Sequence, residues 1–137
     1  MACSVLAGCD GSSSPESRPR ITTFSGDIQE VAASLRGIIT DPQDIALASR
    51  FHDEFAEVVE RDKDIITSTE MLRTGYVRAE TLMLQRTDMV GKYPGFGAAK
   101  DGVLSLVLGL VSVQLTDAKR ADAVKAFRAI AKAIRNE

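Results

Sequence analysis

From Phe24 onward, apolar residues recur at three- and four-residue spacing. That spacing gathers them on one side of an α-helix, whereas on a strand it would scatter them over both faces. The predicted fold class is therefore all-α: a single-domain bundle of about five helices over residues 24–137, each helix burying its stripe against another. No stretch of strict alternation is long enough to build a sheet, and no internal repeat is visible. A chain of 137 residues has room for one modest core.

The helix boundaries follow from turn and cap chemistry. "SGDIQEVAASLRGII" sets Ile28, Val31, Ala32, Leu35, Ile38 and Ile39 on one stripe, with Ser25 as the expected N-cap. Asp41-Pro42 is the clearest start in the chain, an acid at the cap followed by proline at the first helical position, where its missing N–H costs nothing. Its helix carries Ile45, Ala48, Phe51, Phe55, Val58 and Val59 and runs to about Glu60. Thr67 and Glu70 stand at capping-box spacing before a helix whose buried face is Leu72, Tyr76, Ala79 and Leu82 or Met83. "GKYPGFG" breaks that helix.

"AAKDGVLSLVLGL" is apolar nearly all round and is expected to be the central, buried helix. Gly109 has two readings. It is a small residue within the helix, sharing a face with Gly102, Ser105 and Ser112, or it is the left-handed residue just past the helix end. The second is the working expectation, with "VSVQL" as an extended connector. The last helix opens at Thr116 or Asp117 and turns Val124, Phe127, Ile130, Ala131 and Ile134 inward. Phe51, Phe55, Leu106, Phe127 and Ile130 are the expected core. The apolar run from Val103 to Leu115 is well short of the ~20 residues that span a bilayer, so no transmembrane helix is expected.

Few motifs carry chemistry. His52 is the only histidine, and the positions four residues away are Ala48 and Ala56, so it lacks the helical spacing of a metal site and is expected to face solvent. "KYPGFGAAKDG" has glycines before a helix but not the spacing of a phosphate loop; Tyr93 and Phe96 either pack onto the bundle or mark a corner that a partner touches. No cofactor, no metal and no catalytic group are expected. An enzyme with a site assembled across helices is the remaining alternative.

Charge is unevenly spread. Residues 24 to 64 hold ten acidic and four basic side chains, a net of −6, while residues 116 to 137 hold six basic and three acidic, a net of +3. Lys125, Arg128, Lys132 and Arg135 form one stripe on the last helix. It reads either as a solvated face with some pairing between helices, or as a dock for an acidic partner or anionic lipid. With an overall charge of −2 and no tryptophan, the chain lacks the basic, aromatic surface of a nucleic-acid binder.

Both cysteines, Cys3 and Cys9, precede the helical region, which excludes disulfides, a thiol nucleophile and a thiolate metal cluster from the bundle itself. Leu6-Ala7-Gly8-Cys9 resembles the lipobox of bacterial lipoproteins. The resemblance implies that Cys9 is the lipidation site and that "DGSSSPESRPR" belongs to a disordered tether, with residues 1–23 as the leader. It also implies that Asp10 stands where enteric lipoproteins carry an inner-membrane retention signal. Only eight residues precede Cys9, none of them basic, so the resemblance further implies a signal segment encoded upstream. The expected protein is then non-catalytic, periplasmic and membrane-anchored by lipid alone, and it acts by binding another protein. The alternative is a soluble cytoplasmic or phage-encoded helical module with a polar leader, structural or regulatory in role.

Overall fold

The computed structural model describes residues 24–84, 88–111 and 114–136; the leader, and with it Cys9, lies outside them. Six helices make up the described residues: α1 Phe24–Ile38, α2 Pro42–Arg61, α3 Thr69–Met83, α4 Met89–Lys92, α5 Phe96–Val111 and α6 Asp117–Ile134. The only pairing of extended backbone among them is an isolated bridge between Ser68 and Gln114. The all-α bundle is what the apolar spacing predicts.

Local chemistry explains most ends. Asp41 accepts a hydrogen bond from the Gln43 amide at 2.8 Å, with Pro42 opening α2. Thr116 caps α6 through the Lys119 amide at 3.2 Å. Two expected caps are displaced. Helix α1 begins at Phe24, so Ser25 lies inside it. Ser68 rather than Thr67 caps α3, accepting from the Met71 amide at 3.2 Å, so Glu70 falls one position short of a capping box.

The break after α3 also comes earlier than expected. The helix stops at Met83, ahead of "GKYPGFG", and the single turn of α4 intervenes. Gly95 then turns the chain into α5 at φ +91°, a left-handed conformation that glycine adopts without steric cost. It is the only described glycine with positive φ. Gly109 is therefore a mid-helix residue of α5 and not the left-handed terminator expected of it. A Cβ there would meet nothing within 4 Å, so the close packing proposed for its face is absent among the described residues.

The centre of the bundle is α6, not α5. Helix α6 packs against α1, α2 and α5 and buries nine of its residues, four of them the alanines Ala123, Ala126, Ala131 and Ala133. Small side chains let neighbouring backbones close in on several sides of one helix. Helix α5 is instead an outer wall, with Leu106, Leu108 and Leu110 only partly buried. Phe51, Phe55, Phe127 and Ile130 are in the core as expected, and Leu106 stands at its edge.

Polar ties lock α6 in place. The buried Ser49 hydroxyl donates to the Ala131 carbonyl at 2.8 Å, and Arg36 of α1 donates to the Ala133 carbonyl. Arg120 reaches back to three carbonyls at the end of α2 and in the loop after it: Val59 at 3.0 Å, Lys63 at 3.3 Å and Ile66 at 2.7 Å. Those oxygens have no partner within α2, so the guanidinium completes the helix end. Helix α3 lies at the periphery, packed chiefly against α2 and α5.

Candidate functional site

His52 does not face solvent. It is 1% exposed, and its ring lies among Phe51, Tyr76 and Phe127. Nδ1 sits 2.8 Å from the Ala48 carbonyl, which can only accept, so Nδ1 carries the proton. Nε2, 2.9 Å from the Tyr76 oxygen, then accepts from that hydroxyl. Burial lowers the pKa of the imidazole to about 4 and pushes that of the Tyr76 phenol well up, so both groups are neutral. Both ring nitrogens are engaged, and His52 works as a link between α2 and α3. Sequence gives no local sign of this, because its partner lies 24 positions along the chain.

The basic stripe on α6 divides. Arg128 pairs with Glu60 at 3.1 Å, and Arg135 reaches Asp53 and the Ser49 hydroxyl at 2.8 Å each. Lys125 and Lys132 are exposed. Half of the stripe thus settles on the acidic side of α2, in exposed pairs of small energetic weight.

Tyr93 and Phe96 are both buried, so neither forms the exposed corner considered for a partner. The Tyr93 hydroxyl donates to Asp44 at 2.6 Å and Lys92 does so at 2.8 Å. These bonds, that from Lys92 foremost, hold the Asp44 carboxyl below its usual pKa. Lys100 of α5 likewise meets the buried Glu80 of α3 at 3.0 Å. No group of three or more His, Cys, Asp or Glu able to hold a metal is found among the described residues.

What stands open is the outer side of α3. Ile65 and Leu82 are each 63% exposed, Val77 46% and Met71 40%. With Val90 they are the large apolar side chains left exposed among the described residues, and four of the five lie on α3 or on the loop leading into it. A groove of about 290 Å³ runs between the end of α2, that loop and α3. Phe55, Ile66 and Gly75 form its floor, while Met71 and Leu82 stand on its α3 wall. A second depression follows the other side of the same helix, beside Val77 and Thr81. Arg78 and Leu82 border both.

Sequence reading alone does not single out this groove. The signal was present: α3 has apolar residues on two faces, Leu72 and Tyr76 inward but Met71, Val77 and Leu82 off that stripe. Leu82, one of two expected inward residues at its turn, points outward, and Met83 is the partly buried one. No helix among the described residues is long and apolar enough to cross a membrane. Compared with protein families, with curated proteins and with solved structures, the chain shows no match.

Proposed function

We propose that the chain is a non-catalytic, protein-binding helical module whose docking surface is the groove beside α3. In keeping with the lipobox resemblance at Cys9, it acts from a lipid anchor in the bacterial envelope. One observation carries the binding role: of the five large apolar side chains exposed among the described residues, four concentrate on one helix and its entry loop. A clustered apolar surface of this kind costs solubility unless a partner covers it. Lys125 and Lys132, on the far helix, remain available for a weaker electrostatic contact.

Two measurements test the reading. A photo-crosslinking residue at position 82 should give a discrete adduct in the native host, and one at position 125 should give far less. Adducts of equal yield from both sites would remove the groove from its role. Cell fractionation of the native host tests the anchor. Wild type should enter the membrane fraction with a lipid-sized mass shift, and Cys9→Ser should do neither. If both forms stay soluble with unmodified mass, the soluble cytoplasmic module replaces the anchored one and the groove keeps its function.

A further inference from the structure

The α3 groove is lined by apolar groups, with one unpaired cation among them. Arg78 borders both depressions and makes no ion pair among the described residues. Its basic neighbours are occupied: Arg73 lies 3.8 Å from Glu70, and Arg61 lies 3.1 Å from Asp62. Asp62, the acid on the groove rim, is therefore already neutralised.

We infer that this groove receives one amphipathic helix of a partner protein, whose apolar stripe carries an aspartate or glutamate set against Arg78. The inference rests on the docking role proposed for the groove and specifies its occupant. Helix α3 has 15 residues, about 22 Å of length, which matches four turns of a partner helix with apolar anchors at i, i+3 or i+4, and i+7. A carboxylate enclosed by that contact gains a charge-assisted bond to the guanidinium, and a lysine in its place is repelled. A second copy of this chain fits less well. Laying α3 on its symmetry mate with Met71 opposite Leu82 brings the two Arg78 residues within about one helical turn of each other, like charge against like.

Gly75 adds an independent observation. It sits in the middle of α3, where glycine is a poor helix former. A Cβ on it would stand 3.7 Å from Phe55 and Ile66, an ordinary contact, so neither sterics nor backbone conformation calls for glycine here. A methyl there would lie against the edge of Phe55 and the tip of Ile66, two buried side chains that border the groove floor. Alanine would favour the helix and take up part of the groove floor.

The test is a displayed library of helical peptides of about four turns, with apolar residues fixed at i, i+4 and i+7 and the remaining positions randomised, selected on the full chain. The expected winners carry Asp or Glu at one recurring position beside the apolar stripe. Arg78→Glu should weaken them about tenfold and shift selection toward Lys or Arg at that position. Gly75→Ala should raise the melting temperature yet weaken binding several-fold, which separates loss of the groove from loss of the fold. Leu82→Asp should abolish binding. Winners without an acidic bias, or no winners at all, overturn the inference. If the chain instead dimerises and Leu82→Asp makes it monomeric, the groove is a docking face but its occupant is a second copy. Should vesicles of anionic lipid bind in a Leu82-dependent way while no peptide does, the occupant is a membrane surface. If peptides bind but ignore Leu82→Asp and Gly75→Ala, both the occupant and the docking role fail.

Discussion

Helix α2 meets two very different neighbours. Toward α6 its contact is close and tied by polar groups: the Phe55 ring stands edge-on to Phe127 at 5.1 Å, and the Ser49 hydroxyl is bonded to the α6 backbone. Toward the outer part of α3 it leaves a groove, a glycine and a row of exposed apolar side chains. The aromatic cluster of Phe51, His52, Phe55, Tyr76 and Phe127 marks the boundary between the two. The difference teaches where stability and where recognition reside. Substitutions on the α6 side of the boundary should unfold the chain, and those on the α3 side should leave it folded.

The largest expected effect is at Phe127. It is fully buried and its ring stacks on Tyr76 at 5.7 Å, so Phe127→Ala should cost about 3–5 kcal/mol in urea unfolding. A loss under 1 kcal/mol would place the core elsewhere. Acid gives the next effect. With the pKa of folded His52 near 4 and its ordinary value at 6.5, the unfolded chain takes up the proton first as pH falls. The His52 contribution should therefore be constant above about pH 7 and decline between pH 6.5 and 4, losing about 2 kcal/mol by pH 5. A His52→Asn variant, measured alongside, should lack that part of the slope, since the titrating carboxylates are common to both proteins.

Arg120→Met keeps the apolar stem but leaves three carbonyls without their donor. It should cost about 2 kcal/mol and speed amide exchange in the loop after α2. Crossing to the open side reverses the sign: Gly75→Ala should stabilise by about 0.5–1 kcal/mol. The smallest effect is at Leu82. Because it is 63% exposed, Leu82→Ser should change stability by less than about 0.5 kcal/mol in the same assay. A large loss there would show that the groove wall belongs to the core.

The helices were legible because their signals are local. Asp41-Pro42 and Thr116 act within a turn of themselves, and the stripes of α1, α2 and α6 need only a fixed spacing. What stayed hidden depends on residues far apart in sequence. His52 is buried because Tyr76 arrives to share its proton network. Gly109 lies within a helix that runs on to Val111, a conformation that its own flexibility leaves open. The central place of α6 was obscured by its alanines, which are weakly apolar yet permit the closest approach. As for the groove, exposure on α3 is a fact about which neighbours are missing, and sequence spacing records only those that would fit.

The bond between Ser49 and Ala131 has a consequence for how the chain is made. It joins residues 82 positions apart, and Asp53 and Arg135 are joined across the same interval. At about 5–20 residues per second, a ribosome spends about 4 to 16 seconds between releasing one end of that stitch and the other. Throughout that wait Phe51 and Phe55 have no α6 to lie against. Tyr76 follows them after a much shorter delay, so α3 is available to cover one side of the aromatic row before α6 is. The nascent chain must keep the other side from aggregating until Phe127 emerges, and translation that stalls within α6 leaves its most apolar surface bare.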